Sequence, residues 1–421
     1  STYVGLKRGT EITLGGVFDW SKYESRSYIL AYDITTRLIT SWNPSANSTV
    51  NQILPYSNGN VIVTGSFTNI GNQTRNRIAQ VTKTNGSATT WNPNVNGQVY
   101  ALTENAGILY IGGSFTSVNN TNRNNVAALN LTDNSPMPWN PDASNYVNVL
   151  LYNNNKVFAG GAFTTIGGQT RRYFAALDAG SGVANSWNPD FNSTVNDMYI
   201  NNNELFIGGN FSTANNNAIQ RQRLASLQLS DGALTNWDPA ISGSVSAVFG
   251  KYNLTFLGGN FSTAAGQTLQ NFAVINSQGI CSAWYPSFNS TTNTMVLQDS
   301  ILYIGGNFYT YDNEDAYYLT TIVYPWSAFV VSNKDLIQTA SGIELYPNPG
   351  NGEFNIRIPA AWAHNNVKLV IRDLQGRDTG SPVVSFSDEG LANVKSSLQS
   401  GIYLVEISSG SERRFQKIVV E

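Results

Sequence analysis

The residues best suited to binding a ligand lie together in one acidic, tyrosine-rich segment. Asp312-Asn313-Glu314-Asp315 places four oxygen-bearing side chains in succession. Oxygen ligands of this kind bind calcium, although the spacing matches no calcium loop, so Asp312 and Asp315 are weak calcium candidates beside the alternative of a solvated loop. Tyrosines next to carboxylates suit the hydroxyl groups of a sugar, and packing in the core is the plainer alternative for them. The tyrosines around the segment are Tyr309, Tyr311, Tyr317 and Tyr318.

A second candidate set is a series of regularly spaced arginines. Arginine presents a planar fork of donors that matches anionic groups, so arginines gathered on one rim could bind an anionic partner. The alternative is structural, with each guanidinium bracing a loop through backbone carbonyls or stacking on a tryptophan. The series comprises Arg26, Arg75, Arg123, Arg171 and Arg221.

Residues for nucleophilic or zinc-dependent catalysis are scarce. His364 is the single histidine and lies far from the arginine series, so we expect no histidine-based triad. Cys281, the single cysteine, is expected to be a buried structural residue. Asp133, Asp178 and Asp231 fall at tight turns, where bonding to the backbone explains them. We therefore expect no enzyme and no cofactor, with a polysaccharide-cleaving carboxylate pair kept as the alternative.

The composition favours an extracellular all-β protein. Only 12% of the 421 residues are charged and the net charge is −3, so the chain has no electrostatic footprint for nucleic acid. Asn, Gly, Ser and Thr take the surface positions instead, which is typical of turn-rich β proteins. No apolar run is long enough for a transmembrane helix. The chain begins Ser-Thr-Tyr without methionine, so we expect it to be processed or truncated.

These candidates are positioned by a repeat that covers most of the chain. A glycine pair, one variable residue and a phenylalanine recur in nearly every copy, and we number the copies one to seven by their phenylalanine. The steps between successive phenylalanines are 49, 48, 48, 48, 50 and 47 residues, so one structural unit is used repeatedly. The phenylalanines are Phe18, Phe67, Phe115, Phe163, Phe211, Phe261 and Phe308.

Copy four shows the predicted unit. Val147–Tyr152 alternates as a strand, Lys156–Thr164 is a second strand, Thr165–Thr170 is a loop, and Arg171–Asp178 is a third strand. A short fourth strand ends at Trp187-Asn188-Pro189. Four short strands joined by Asn, Gly and Asp turns predict an antiparallel meander. We therefore expect an all-β chain whose residues 1–331 form a seven-bladed β-propeller of four-stranded antiparallel blades.

A second repeated signature places a tryptophan two residues before a proline. Proline cannot donate to a sheet, so it is expected at a strand end, and the indole is expected to be buried between blades. The glycine pair allows close approach of neighbouring backbones. Because every copy needs both signatures, we interpret them as scaffold. The tryptophans are Trp42, Trp91, Trp139, Trp187, Trp237 and Trp284.

Copy seven departs from this pattern. It reads Tyr324-Pro325-Trp326-Ser327 and has no Trp-x-Pro at the expected place. Either Tyr324–Val331 or residues upstream of Ser1 would then supply the last strand that closes the ring.

The repeat resembles the bacterial propeller repeat often called the delta-60 repeat. The shared features are Gly-Gly-x-Phe-Thr, Gly-x-x-x-Arg-Asn, Ala-x-Leu, a turn and Trp-Asn-Pro, over about residues 1–331. The family repeat also carries the arginine, which favours its bracing role. The resemblance implies a fold and no activity.

A different region follows the repeats. Residues 332–342 are polar and predict a linker. Residues 343–421 alternate strands with Asn-Gly, Gln-Gly and Ser-Gly turns, which predicts a small Ig-like β-sandwich. Three motifs stand out in order: Tyr346-Pro347-Asn348-Pro349, then Asp373 with Gly376 and Arg377, then Gly401-Ile402-Tyr403 with Lys417-Ile418-Val419-Val420.

These motifs resemble the type A C-terminal sorting domain of the bacterial type IX secretion system. The resemblance implies export through a giant outer-membrane barrel, recognition by a shuttle barrel, and delivery to the cell surface or the medium. It assigns the sorting signal to the motif residues, namely Tyr346, Pro347, Asn348, Pro349, Asp373, Gly376, Arg377, Gly401, Tyr403, Lys417 and Val419.

The sequence thus predicts an exported binding or adhesion protein, with gliding and polysaccharide attachment as its candidate roles, whose ligand is a glycan or a surface protein. A module of a larger surface protein is a further alternative. Longer loops on a rigid scaffold are where binding residues concentrate, so contacts are expected on the face with the loops between second and third strands, centred on copy seven. The predicted contacts are Tyr309, Tyr311, Asp312, Glu314, Asp315, Phe191, Phe288 and Tyr146.

Overall fold

The computed structural model describes part of the chain. The described residues are 2–8, 11–20, 26–33, 36, 38–56, 59–251, 253–282, 286–298, 301–312, 314–316, 318–323, 343–346, 353–359, 362, 367–373, 378–380, 382, 384–388, 390–395, 398, 401–409 and 412–420. The predicted linker, the alternative closing strand 324–331 and Trp284 lie outside these ranges. The chain divides into two compact units, the first comprising residues 1–281, 285–298 and 303–321 and the second the remainder.

Each of the seven copies forms an antiparallel sheet of three or four strands within the described residues. Copy one contains β1 (Thr2–Arg8), β2 (Glu11–Trp20), β3 (Arg26–Asp33) and β4 (Leu38–Ile39). The sheets of copies two to four contain β5 (Val50–Pro55), β6 (Val61–Gly65) and β9 (Ile78–Val81); β10 (Gln98–Asn105), β11 (Ile108–Ser114) and β14 (Val126–Asn130); and β15 (Val147–Asn153), β16 (Lys156–Gly161) and β19 (Phe174–Asp178). Those of copies five to seven contain β20 (Val195–Asn201), β21 (Glu204–Gly209) and β24 (Leu224–Gln228); β25 (Ser244–Lys251), β26 (Leu254–Asn260) and β29 (Phe272–Asn276); and β30 (Thr292–Gln298), β31 (Ile301–Gly306) and β34 (Leu319–Val323).

The segment between second and third strands is a small hairpin, not the predicted loop. In copy four, Gly167 and Gly168 have φ of 62° and 75° and form the turn, and these left-handed values suit glycine. Two-residue strands are too short to produce a recognisable alternation in sequence. The hairpins of copies two to seven are β7 (Asn69–Ile70) with β8 (Gln73–Thr74), β12 (Ser117–Val118) with β13 (Thr121–Asn122), β17 (Thr165–Ile166) with β18 (Gln169–Thr170), β22 (Thr213–Ala214) with β23 (Ile219–Gln220), β27 (Thr263–Ala264) with β28 (Gln267–Thr268), and β32 (Thr310–Tyr311) with β33 (Glu314–Asp315).

The predicted fourth strand is much reduced. In copy one it is the two-residue β4, and in copies two to six it contracts to one isolated antiparallel bridge. The chain turns within a few residues into Trp-x-Pro, where proline has no N–H to continue a ladder. In copy three the bridging residue is itself Pro136. The bridges are Val81–Ala88, Leu129–Pro136, Leu177–Ala184, Leu227–Leu234 and Ile275–Cys281.

The first strands of the sheets lie side by side in sequence order. Contacts join β1 to β5, and then each first strand to the next as far as β30. Strand β1 also contacts β30, so the sheet of copy one lies beside that of copy seven. A small apolar cluster of Leu14, Leu30 and Tyr303 supports this contact.

The glycine pair permits this close approach. A Cβ placed on Gly160 would lie 2.4 Å from Val195, and one on Gly208 would lie 2.5 Å from Val245, in both cases on the first strand of the next copy. A Cβ on the second glycine, Gly161, would lie 2.3 Å from the carbonyl of Tyr146. Such distances leave no room for any side chain, which confirms that the pair is scaffold.

The tryptophans pack between successive copies, as predicted. Trp139 is 3% exposed, contacts Tyr110 edge-on at 5.0 Å, and donates from Nε1 to the carbonyl of Asp178 in copy four at 2.9 Å. Trp42 donates to Thr82 at 2.8 Å and Trp237 to Asn276 at 3.1 Å, so the bond again reaches the next copy. These three indoles therefore join two sheets through apolar packing and one hydrogen bond, whereas Trp91 Nε1 is buried without a hydrogen-bond partner.

The second unit contains two antiparallel sheets around one core. One has the order β35-β36-β39 and the other β38-β37-β40-β41. Buried residues of both, including Phe354, Ile356, Ile371 and Val405, form a single apolar cluster. The strands are β35 (Glu344–Tyr346), β36 (Glu353–Arg357), β37 (Val367–Asp373), β38 (Asp378–Gly380), β39 (Leu391–Lys395), β40 (Gly401–Ser409) and β41 (Glu412–Val420).

Replacing Trp139 with alanine should lower the free energy of unfolding by about 3–5 kcal/mol, because it opens a cavity between copies three and four. The measurement is the urea midpoint. Val183→Ala is the control, since Val183 is 54% exposed and its truncation should change stability by less than about 0.5 kcal/mol. Equal midpoints for Trp139→Ala and the wild type would contradict the packing role.

Candidate functional site

The arginine series is held by backbone carbonyls. In every member, Nη2 donates to the carbonyl fourteen residues later: Arg26 to Thr40, Arg75 to Thr89, Arg123 to Met137, Arg171 to Asn185 and Arg221 to Thr235, at 2.5 to 3.0 Å. In Arg75, Arg123, Arg171 and Arg221, Nη1 also donates to the carbonyl of the preceding residue. This geometry fixes the chain just before each Trp-x-Pro. Backbone carbonyls thus accept from the terminal nitrogens, and Nε of Arg75, Arg123 and Arg171 is buried without a hydrogen-bond partner. The backbone bonds favour the bracing interpretation.

The acidic segment of copy seven is the hairpin β32–β33, whose first strand is anchored. The N–H of Asp312 donates to the carbonyl of Ser287 at 2.9 Å, and its Oδ1 accepts the N–H of Ser287 at 2.7 Å. Burial, with Asp312 alongside, raises the pKa of Tyr311. Tyr311 also packs against Phe288 at 5.5 Å. Tyr311 and Asp312 thus hold the hairpin in place, and their mutation is expected to affect folding.

The same hairpin offers three other groups to solvent. Tyr309 is 49% exposed and contacts Tyr318 edge-on at 5.2 Å. Glu314 and Asp315 are exposed on β33. Asn313 and Tyr317 lie outside the described residues. Within the described ranges, no group of three or more Asp, Glu, His or Cys residues is arranged to hold a metal ion.

Two predicted contact residues are wrong, because their rings are in the core. Phe191 and Phe288 have no exposed surface. Phe191 stacks on Phe211 at 4.2 Å, and Phe288 contacts Phe308 at 4.7 Å, so each fills the space beside the phenylalanine of the next copy. Tyr146 is half-buried and contacts Tyr100 edge-on at 6.2 Å.

Side chains on the first strands form a second set of polar contacts, which sequence reasoning missed. Each first strand is an edge of its sheet, and an edge strand has unpaired N–H groups. Side chains of the preceding copy accept from these groups: Gln52 Oε1 from Leu102 at 2.5 Å, Thr103 Oγ1 from Tyr152 at 3.2 Å, and Asp197 Oδ2 from Val248 at 2.7 Å. Asparagines at the neighbouring β-bulges donate in the same direction, as Asn148 does to Val195 at 3.1 Å.

Asp197 is the acidic member of this set. Its Oδ1 also accepts the N–H of Met198 at 2.9 Å. The side chain retains some exposed area but lies deep inside the unit, and burial raises its pKa to about 7 despite the two N–H bonds. The corresponding residue of copy two is Gln52, which accepts the equivalent bond without a charge. Copies three, four and six have Ala101, Val149 and Ala247 at this position, so the acceptor belongs to particular junctions and not to the repeat.

In the second unit, the sorting motifs that are far apart in sequence lie on neighbouring strands. Gly401, Tyr403 and Leu404 on β40 pair with Val420, Ile418 and Lys417 on β41, and Val419 pairs with Ile402. Asp373 at the end of β37 pairs with Tyr403. Tyr346 pairs with Asn355, whereas Pro347, Asn348, Pro349, Gly376 and Arg377 lie outside the described residues. The middle and terminal motifs therefore meet at one end of the four-stranded sheet.

Comparison with known families matches both parts of the chain. Residues 344–421 match the secretion system C-terminal sorting domain, and residues 57–88 match a β-propeller domain of unknown function, DUF5122. No curated protein sequence matches the chain. The sorting domain marks proteins that the type IX secretion system exports. The protein is therefore carried across the outer membrane and is displayed on the cell surface or secreted.

The solved structures that the chain matches share little sequence with it. The computationally designed Ika8 protein is 11% identical, with 100% of this chain and 96% of that one covered and a TM-score of 0.48. The WD40 domain of Neurospora crassa Pan2 is 11% identical, with 72% and 85% covered and a TM-score of 0.49. The described residues contain no helix of the length and apolarity needed to cross a membrane.

Asp197→Asn should change how stability depends on pH. Because the pKa of Asp197 rises from 3.8 to about 7 on folding, the folded state binds more protons between these values, and wild-type stability from this group is lost as pH rises through 7. Asparagine keeps one acceptor oxygen and cannot ionise. The free energy of unfolding of the variant should therefore rise relative to that of the wild type as the pH increases from 4 to 8. Urea midpoints across this range measure the difference. A constant difference would contradict the raised pKa.

Proposed function

We propose that the protein is a non-enzymatic binding and adhesion protein of the cell surface, built as a closed seven-bladed β-propeller of delta-60-like repeats with a sorting domain for type IX secretion. The main observation that supports this proposal is the match of residues 344–421 to the sorting domain. Such a protein would attach a cell to a polysaccharide or to another surface protein, including during gliding.

Ring closure through the first strands supports the seven blades. Each first strand contacts the next, and β1 contacts β30, so the series returns to its start. A closed ring has no free blade edge at either end of the repeat region. Strand β1 is the first strand of copy one, and the segment 324–331 considered for the last strand of copy seven lies outside the described residues.

The second unit suits its proposed partners. Two sheets over one core support an Ig-like sandwich. Its terminal motifs form a continuous strip of paired backbone, from Gly401–Tyr403 to Lys417–Val420. We propose that this strip contacts the shuttle barrel and that residues 343–421 also engage the giant outer-membrane barrel.

Binding without catalysis agrees with how the carboxylates of the repeats are used. Asp178 Oδ1 accepts the N–H groups of Gly180 and Ser181, and hydrogen bonds from Ser181 and Gly180 lower its pKa. Asp133 accepts from Ser135 and Asp231 from Ala233 in the same way. A carboxylate committed to its own turn is poorly placed to act as an acid or a base.

The hairpin of copy seven is the proposed contact region for the partner. Tyr309, Glu314 and Asp315 combine an exposed ring with two exposed carboxylates. An aromatic face and hydrogen-bond acceptors suit the hydroxyls of a glycan or the polar surface of a protein.

Deleting residues 343–421 should abolish export. The truncated chain should accumulate in the periplasm, measured by fractionation and by surface labelling of intact cells. The matched control carries Lys395→Ala, which removes an exposed ion pair with Glu353 and should leave export unchanged, since such pairs contribute little. Normal surface delivery of the truncated protein would contradict the proposal.

A triple substitution tests the copy-seven contact. Tyr309→Ser, Glu314→Gln and Asp315→Asn should reduce binding of the full chain to a panel of neutral and acidic oligosaccharides, with little change in melting temperature. Gln73→Ala with Thr74→Ala is the control, because these exposed residues occupy the same strand of the copy-two hairpin. Binding that survives the triple substitution would rule out this hairpin as the contact region.

A further inference from the structure

A cleft lies between copies five and six. Its volume is 390 Å³, and its floor is formed by Trp237 and Phe206, whose rings meet edge-on at 5.1 Å. Glu204, Gln228, Asn253 and Ser277 lie around the rim. The cleft is built from the turns that follow first and third strands, and not from the hairpins.

The cleft exists because copy six does not cover Trp237, the tryptophan that precedes it in the chain. In three other copies, the residue after the third strand packs in the same apolar cluster as the preceding tryptophan: Leu131 with Trp91, Ala179 with Trp139, and Leu229 with Trp187. In copy six this position is Ser277, which is exposed and lines the cleft. Trp237 is correspondingly half-buried, whereas Trp42, Trp91, Trp139 and Trp187 are buried.

The turn after the third strand is also shorter in copy six, and its backbone lies farther from Trp237. The bridge Ile275–Cys281 encloses one residue fewer than Leu227–Leu234, which matches the short step of 47 residues from Phe261. A Cβ on Gly232 would lie 2.3 Å from the Trp187 ring, but one on Gly279 would lie 3.8 Å from Trp237. The turn that covers the indole in one copy therefore stands away from it in the next.

The side chain at the start of the second strand also differs between copies four and five. In copy four, Lys156 places its ammonium 5.7 Å from the centre of the Trp187 ring. In copy five the same position is Glu204, whose carboxylate accepts from Gln228 Nε2 at 3.4 Å. The lysine ammonium that lies over Trp187 in copy four is thus replaced in copy five by the carboxylate of Glu204, which lines the cleft.

We infer that this cleft binds a neutral saccharide. The apolar C–H face of a sugar ring packs against an exposed indole, and its hydroxyls pair with amides and a carboxylate. Among the described residues that line the cleft, Glu204 is the charged one and none is a lysine or an arginine. The carboxylate of an acidic saccharide would therefore be repelled by Glu204, with no positive charge to offset the repulsion. The inference deepens and rests on the proposed binding function, and assigns a ligand class to a place away from the copy-seven hairpin.

The test measures binding of the full chain by calorimetry to cellohexaose, xylohexaose and mannohexaose, with tetragalacturonate as the acidic comparison. At least one neutral oligosaccharide should bind at millimolar concentration, and tetragalacturonate should bind more weakly. Ser277→Leu restores the apolar cover found in other copies and should lower that affinity at least about tenfold, which corresponds to about 1.4 kcal/mol. Ser230→Leu, at an exposed serine in the corresponding turn of copy five, should leave it unchanged.

Each outcome decides between the two proposals. No binding of any neutral oligosaccharide, or binding that Ser277→Leu leaves intact, overturns the saccharide cleft. If the triple substitution in copy seven removes binding while Ser277→Leu does not, the proposed function stands and the cleft does not. If neither oligosaccharides nor cell surfaces bind the chain, both proposals fail. If Ser277→Leu does not fold, Asn253→Ala takes its place in the test. This variant removes an exposed amide at the rim of the cleft and should also weaken binding of the neutral oligosaccharide.

Discussion

The repeat region depends on how each copy completes the unpaired edge of its neighbour. The first strand of every sheet has free N–H groups on one side, and leaving such groups without partners inside a protein costs stability. Gln52, Thr103 and Asp197 accept from these groups on the following copy. One copy alone would keep both an uncapped edge and an uncovered tryptophan. Copies are therefore stable in a series, and the contact of β1 with β30 brings the first copy against the seventh.

This arrangement separates the scaffold from the sites that can vary. Glycine pairs and buried phenylalanines serve the junction between copies, and the arginine braces fix the chain within each copy, so their replacement would affect folding first. Ser277 and the short turn after β29 change one junction locally. Tyr309 and the exposed carboxylates of copy seven lie at a hairpin, away from the contacts between first strands. The second unit adds the export address, so the proposed binding and the delivery are assigned to different parts of the chain.

The sequence predicted the repeated features well, because a recurring residue reports a recurring contact. The glycine pair and Trp139 were interpreted correctly on that basis. Phe191 and Phe288 were not, since an aromatic residue just after a Trp-x-Pro turn looks like a loop residue until its stacking on Phe211 or Phe308 is seen. Asp197 resembled an ordinary polar strand position, and its depth depends on the neighbouring sheet. The cleft did leave a trace in the step of 47 residues, but length alone does not reveal which side chain a missing residue uncovers.

The central claim is that the copies stabilise one another around a closed ring, and hydrogen exchange tests it most directly. The measurement compares amide protection in the full chain and in a chain lacking β1 (Thr2–Arg8). The account predicts that removing β1 exposes the first strand of copy seven and speeds exchange there and in the copies beyond it, including the amides of Leu102 and Val248 that neighbouring side chains cap. Faster exchange confined to copy one, with unchanged protection elsewhere, would contradict a closed ring.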